Sequence, residues 1–431
     1  MVNTQGRSTA GKLSAVKGMN DILPPESAQW EWFEQHVREV MGVYAYGNIR
    51  TPIVEHTQLF VKGTGETTDI VEKEMYSFED RLNGEQLTLR PENTPGVVRA
   101  AIEHNLTYDG GKRLYYVGPM FRYDRPQAGR YRQFYQYGIE FIGSDHPYFD
   151  AEVISILWNY LSVLGIKRMR LELNSVGCPE CSKAYDQALQ DYFRPHLNEL
   201  CPDCQIRHSQ KPRRLLDCKV KTCKQIAQGA PSQLDYLDEP CKVHFASVQD
   251  FLARMNIPFV INPRIVRGLD YYTNTAFEVV YEGLGAQNSL AGGGRYNGLL
   301  EQIGGKNIPA IGFAGGFERL LLALREEQID LGARPVADAY LITMGPAAQQ
   351  LALPLLSQLR LGGIWVEYDP TKNSFKAQLK AANNCQARFA LIIGEDEAVA
   401  GKALLKDLQS GEQRLLELDA NSQFIEALKR S

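Results

Sequence analysis

Two strand-like runs, RLYYVGPMF at 113–121 and QFYQYGIEFIG at 133–143, flank a polar, arginine-rich stretch. Both are aromatic-rich and read as the arms of one antiparallel hairpin with a long tip, Arg122 to Arg132. Alternation along the second arm places Phe134, Gln136, Gly138 and Glu140 on one face and Tyr135, Tyr137, Ile139 and Phe141 on the other. One face is therefore packed and aromatic. The other presents a ring, an amide and a carboxylate to something polar. The tip carries Arg122, Arg125, Arg130 and Arg132. Guanidiniums that close repel one another unless an anion joins them, and their forks suit phosphate or carboxylate oxygens. As a group they read as an anion site, the alternative being solvated surface charge. Arg122, at the strand end nearest the polar face, is the strongest candidate.

At 431 residues the chain is too long for one ordinary core and calls for two or three domains. With 47 Lys+Arg against 51 Asp+Glu the net charge is -4, so any nucleic-acid surface must be local. No stretch has the length of apolar residues needed to span a bilayer. The first residues are small and polar without an apolar core, unlike a secretory signal. Residues 1–12 are expected to be a disordered tail and the protein cytoplasmic.

Trp30, Phe33, Val37, Val40, Met41 and Tyr44 recur at helical spacing. The run GNIRTPIVE reads as a short strand interrupted at Pro52, which fits an edge or a bend. QLTL at 86–89 is a strand, RPENTPG a turn, and the residues after it a helix. Residues 173–262 are helical, charged and cysteine-rich, an apparent insertion. TAFEVVY then resumes strand texture, followed by the glycine-rich AGGGRYNGL and by PAIGFAGGFERLLLALREE, a strand running into an amphipathic helix. From 337 onward, strands and helices alternate in the pattern of a small α/β domain with a parallel sheet.

Several other residues could carry chemistry. Glu92 and Thr94 sit where a helix begins, so a capping or dipole role competes with a functional one. Arg267, Asp270, Tyr271 and Tyr272 fall in a turn before a strand, where adjacent tyrosines can equally be packing. The glycines of AGGGRY and GFAGGF permit close backbone approach to a ligand, or of helix to sheet. Neither they nor GGKN match a P-loop or dinucleotide fingerprint. Arg319 lies in the first turns of a helix, the end that favours acids, and reads as either surface charge or a phosphate ligand. Seven of the eight cysteines lie between Cys178 and Cys241. Cys178 and Cys181, then Cys201 and Cys204, have the C-x2-C…C-x2-C spacing of a structural zinc site.

In order and combination, VKGMNDILPPE, LTLRPENTPGVVRA, GPMFRYDRPQAGRYRQFYQYGIE, IVRGLDYYTNTAFE and AGGGRYNGL resemble the histidyl-tRNA synthetase family of class II aminoacyl-tRNA synthetases. The resemblance spans nearly the whole chain. It implies an α+β fold: an antiparallel catalytic sheet flanked by helices, a helical insertion domain and a C-terminal α/β anticodon-binding domain. The expected limits are 13–172 and 263–326 for the catalytic domain, 173–262 for the insertion and 337–431 for the anticodon-binding domain. The implied activity is a ligase of protein biosynthesis. It activates L-histidine with ATP, accompanied by Mg2+, and transfers it to the 3′ end of tRNA(His).

The resemblance also implies roles. Arg122 and Arg267 would be catalytic, contacting the reacting carboxylate and α-phosphate from opposite sides. Arg130 and Arg319 would hold the outer phosphates, and Phe134 would stack on adenine. Glu92, Thr94 and Gln136 would receive the histidine ammonium, and Glu140 and Tyr272, with Tyr271 beside them, would read its imidazole. Arg125, Gln127 and Arg132 would face the tRNA acceptor end. Pro52 matches the motif of the family's dimer interface, so a homodimer is expected. Many relatives lack the cysteines, and on that ground the chain is assigned no metal. The alternative is the histidine-binding regulatory paralogue acting in histidine biosynthesis. A nucleic-acid module using the arginine tip alone would leave Glu92, Glu140 and Arg267 unexplained.

Overall fold

The two hairpin arms are ten-residue strands near one side of an eight-stranded sheet. The structure is a computed structural model describing residues 13–65, 68–265, 269–285, 288–329, 331, 336–418 and 421–429. The expected tail, residues 1–12, lies outside the described residues. The chain forms two units, Met1–Leu331 and Gly332–Ser431.

In the first unit the strands in chain order are β1 (Gly47–Asn48), β2 (Val54–His56), β3 (Tyr76–Glu79), β4 (Gln86–Leu89), β5 (Lys112–Phe121), β6 (Gln133–Ile142), β7 (Met169–Ser175), β8 (Phe259–Ile261), β9 (Thr273–Tyr281), β10 (Ser289–Arg295) and β11 (Ala310–Gly316). The large sheet runs β1-β5-β6-β11-β10-β9-β7-β8, and β2-β4-β3 form a small antiparallel sheet. The central pairings from β5 to β7 are all antiparallel; only the short edge strands β1 and β8 are parallel to their neighbours. Pro52 falls in the gap between β1 and β2. A residue that cannot donate to a ladder marks that break.

One face of the sheet is covered by helices. Helix Glu26–Val43 buries Trp30, Phe33, Val37 and Met41 against the Tyr137, Ile139 and Phe141 face of β6. Helices Pro147–Val163 and Phe317–Glu326 complete that layer. On the opposite face the neighbours of β6 are very small. Gln136 pairs with Gly316, Gly138 with Ala314 and Glu140 with Gly312; further across, Gly292 and Gly294 of β10 pair with Ala314 and Gly312. AGGGR thus forms a strand, which its composition disguises, since glycine is depleted in strands. A floor of bare backbone is left beneath the polar residues of β6.

Elements at both ends of the expected insertion, 173–262, pack with the large sheet and its core. β7 and β8 belong to the large sheet. Helix Glu239–Arg254 sends Phe245, Val248 and Leu252 into the main core. Its His244 lies 3.2 Å from Asp150, which in turn pairs with Arg295 of β10. The charged outer face of this helix masked its apolar stripe. The remaining helices, between Pro179 and Tyr236, surround a small core of their own around Leu189, Phe193 and Leu215.

The second unit contains β12 (Ala339–Thr343), β13 (Val366–Glu367), β14 (Phe389–Ile393), β15 (Lys402–Asp407) and β16 (Gln413–Glu417), in the order β13-β12-β14-β15-β16. β12 is parallel to β13 and β14, as the alternating pattern predicts. β15 and β16 extend the sheet as an antiparallel hairpin, so the sheet is mixed. Their sequences, KALLKD and QRLLE, lack the β-branched and aromatic residues that announce a strand.

Candidate active site

The face of β6 that alternation assigns to polar contacts opens into a cavity of about 290 Å³. Phe134, Gln136 and Glu140 line it, and Gly292, Gly312 and Ala314 lie along its floor. A Cβ built at Gly312 would stand 1.9 Å from a Glu140 carboxylate oxygen, so only glycine lets that carboxylate lie flat on the floor.

One end of the cavity is acidic and enclosed. Glu140 is 1% exposed; it accepts a hydrogen bond from Thr94 Oγ1 at 2.7 Å and another from the Tyr296 hydroxyl. Burial pushes its carboxyl from the usual 4.5 up to about 8, against the pull of those two donors. Glu92 lies close by, accepting from Thr64 Oγ1 at 3.0 Å and from the Tyr271 hydroxyl at 2.8 Å. Thr94 is not a cap: it is the first residue of helix Thr94–Glu103, and its hydroxyl turns to Glu140. Gln136 Oε1 is buried and has no hydrogen-bond partner among the described residues. An orphaned buried acceptor lining a hollow is matched by a donor that arrives with a ligand.

The other end is basic. Arg122 donates from Nε to the Pro91 carbonyl at 2.9 Å, and its guanidinium carbon lies 5.3 Å from the centre of the Phe134 ring. Arg319 is held by the carbonyls of Gly129 and Ser289, at 3.2 and 3.1 Å. Its affinity for a proton is lowered by burial first, then by Arg130 and Arg122. Arg130 pairs with Asp124 and stands 3.7 Å from Glu74. Three guanidiniums thus converge on one cavity at an electrostatic cost that a multivalent anion would relieve. The neighbouring Glu318 accepts the Tyr135 N–H at 3.0 Å, and burial pushes it up to about 7.

The remaining sequence candidates separate. Tyr271 and Tyr272 both line the cavity, and the Tyr271 hydroxyl is spent on Glu92. Arg125 and Gln127 are exposed at the hairpin tip. The tip closes in a tight turn, with Gln127 and Arg130 exchanging backbone bonds of 3.0 and 2.9 Å. Arg132 is not out on that tip. It stacks 4.0 Å over the Tyr123 ring, bonds the Asp124 carbonyl, and donates its N–H to the Gly18 carbonyl. Arg267 lies outside the described residues. Tyr296 and Thr64, which hold the two buried carboxylates, are absent from the sequence reading. Tyr296 comes two residues after the glycine run, just past the end of β10, and could have been found from that place; Thr64 carries no local signal.

The cysteines do not assemble as their C-x2-C pairs suggest. Cys201 and Cys204 meet Cys218 and Cys223, while Cys178 and Cys181 meet Cys241 and Asp238. A single site built from Cys178, Cys181, Cys201 and Cys204 is therefore not formed.

A family profile described as histidyl-tRNA synthetase matches residues 18–320, and one described as an anticodon binding domain matches 338–428. The chain belongs to the histidyl-tRNA synthetase family. A histidine–tRNA ligase of Desulforamulus reducens is 49% identical over 412 residues, covering 95% of this chain and 98% of that one. Its counterpart from Acidovorax ebreus is 50% identical over 427 residues, covering 97% and 99%. The crystal structure of apo S. aureus histidyl-tRNA synthetase superposes with a TM-score of 0.82 at 38% identity, covering 97% of this chain and all of that one, 100%. These full-length likenesses favour the ligase over the regulatory paralogue.

Proposed function

We propose that this cavity is where the chain, as a histidine–tRNA ligase, activates L-histidine with ATP before transferring it to tRNA(His). The observation that carries the reading is the polarity of one cavity: two buried carboxylates and an orphaned amide oxygen at one end, three guanidiniums at the other. Histidine offers an ammonium and an imidazole N–H to the first end. Its carboxylate then points toward the second, where the phosphates of ATP lie.

In the first step a histidine carboxylate oxygen attacks the α-phosphorus. A mixed anhydride forms, the bond to the β-phosphate oxygen breaks, and diphosphate leaves. Two unit charges about 4 Å apart repel by roughly 4 kcal/mol at an effective dielectric near 20. Arg122, together with Arg267, the second arginine that the family resemblance implies, offsets that repulsion and holds the line of attack. Arg319 and Arg130 take the outer phosphates, and Arg130 must exchange Asp124 for them. Phe134 stacks on adenine. Mg2+ arrives on the phosphates of ATP. In the second step the terminal ribose hydroxyl of the tRNA attacks the carbonyl carbon and AMP leaves.

At the histidine end, Glu92, Thr94 and Gln136 face the ammonium, and Glu140 and Tyr272 the ring. A carboxylate that already accepts two hydroxyls keeps lone pairs for a third donor. Arg125 and Gln127 belong to the tRNA acceptor end, with Arg132 acting there through the shape of the hairpin base. The small sheet next to Pro52 leaves Val54 39%, Ile53 42% and Phe78 45% exposed, a surface suited to pairing with a second copy. No described helix is long and apolar enough to cross a membrane, and we place the ligase in the cytoplasm. Histidine-dependent exchange between ATP and diphosphate tests the reading. Exchange with histidine and with no other amino acid is expected; its absence in folded protein refutes it.

A further inference from the structure

The inserted segment holds a chemistry that the ligase reaction does not use. The sulfurs of Cys201, Cys204, Cys218 and Cys223 all lie within 4.8 Å of one another, and those of Cys201 and Cys218 are 3.9 Å apart. Four ligands about 2.3 Å from a central zinc stand roughly 3.8 Å from each other in a tetrahedron. We propose that these four cysteines bind one zinc ion as thiolates, making a structural site in the segment between β7 and helix Glu239–Arg254.

The local structure supports four ligands and not merely four buried thiols. Cys201 opens a C-P-x-C turn, with Pro202 as the first residue of helix Pro202–Gln210 and Cys204 on its first turn. Cys218 and Cys223 bracket the entry to helix Lys221–Ala227. The two pairs have two and four residues between their cysteines, both within the spacing zinc sites use. The backbone N–H of Cys201 donates to Cys223 Sγ at 3.2 Å, a bond that a thiolate accepts more strongly than a thiol does. Lys219 and Lys221 lie between the second pair and Lys224 follows it, charges that offset that of a tetrathiolate.

The elements around the cluster need such a clasp. The helices at Pro202–Gln210, Pro212–Leu215 and Lys221–Ala227 have nine, four and seven residues. Helices that short are not stable by themselves in water, and a bound ion supplies folding free energy directly. The second cysteine cluster differs. Its fourth group, Asp238, caps helix Glu239–Arg254 and already accepts the Cys241 N–H through Oδ1 at 2.9 Å.

The test uses the full chain, purified without chelator, beside Cys178→Ser and the double variant Cys218→Ser/Cys223→Ser. Metal analysis should find about one zinc per chain fewer in the double variant than in the unmutated protein. Cobalt(II) added to the metal-free, unmutated chain should give the intense visible bands of a tetrahedral tetrathiolate, which does not depend on any variant folding. Cys178→Ser should keep those bands. Equal zinc in the unmutated and double-variant proteins overturns the proposal. So do cobalt spectra without tetrathiolate bands, loss of the bands in Cys178→Ser, or a mapped Cys201–Cys218 disulfide in the protein as purified.

Discussion

Glu140 in the cavity and Cys204 in the inserted segment are both fully enclosed, at 1% and 0% exposure, yet different constraints hold them there. Glu140 sits on a central strand paired on both sides, opposite Leu114 of β5 and Gly312 of β11. Its direction follows from the two-residue period of a strand, and a slip of one residue would turn it into the aromatic core. Cys204 owes its neighbours to short helices joined by loops. No period tells Cys204 that Cys218 and Cys223 will be beside it while Cys178 and Cys181 go elsewhere. Groups positioned by a ladder can be located from sequence; groups positioned by loop closure show only that they could meet.

That contrast can be broken at several points, and the largest effect is expected at Arg122. Removing a guanidinium aimed at developing charge costs roughly 10²–10³ in rate. Arg122→Ala should lose adenylate formation on that scale while still binding histidine. Near-normal exchange in the folded variant would mean that the basic end of the cavity is not where phosphate reacts.

Glu140→Gln should remove discrimination for the imidazole while leaving ATP binding intact. It also carries a pH signature. Because burial raises the folded-state carboxyl from 4.5 to about 8, the folded state holds the proton more tightly than the unfolded state does. Stability is then lost as pH rises through that window, since the unfolded chain gives up its proton first. Glu140→Gln cannot ionise, so its melting temperature relative to the unmutated protein should climb from about pH 5 to about pH 8. A constant difference across that range would show that Glu140 is ionised in the empty cavity.

Arg125→Ala should spare exchange and slow single-turnover transfer to tRNA, more so at low salt, because fewer counterions are released. Arg132→Ala should also affect exchange, because its side chain holds Tyr123 and the Asp124 carbonyl at the hairpin base. If Arg125→Ala fails at exchange as badly as Arg122→Ala, the tip serves ATP and not tRNA. The smallest effect is expected in the inserted segment. Chelation should leave histidine-dependent exchange unchanged while helix Lys221–Ala227 loses protection from hydrogen exchange. Loss of exchange with the large sheet intact would couple the two regions.

The hairpin, its two faces and the helix that buries Trp30 and Phe33 were legible because amphipathic periods mark them directly. So was the meeting of Gln136 with Glu140. The strand character of AGGGR was hidden, because composition argues against it and only the partners on either side explain it. The packing of helix Glu239–Arg254 on the main core was hidden for a related reason: its charged face is a property of its sequence, whereas that packing is a property of the fold. The roles of Thr64 and Tyr296 needed the tertiary structure outright. Each hydroxyl reaches a carboxylate far away in the chain, Thr64 to Glu92 and Tyr296 to Glu140.

The bare floor has a consequence for redesign. Along Gly292, Gly312 and Ala314 the cavity offers main-chain atoms and at most one methyl group. Those positions carry almost no side chain, so any larger residue there, polar or not, intrudes into the cavity. At Gly312 the first added carbon already collides with Glu140. A search for variants that accept larger or differently polar amino acids therefore has little room beneath the ligand. Its useful library is confined to the walls, at Thr94, Gln136, Tyr272 and Tyr296.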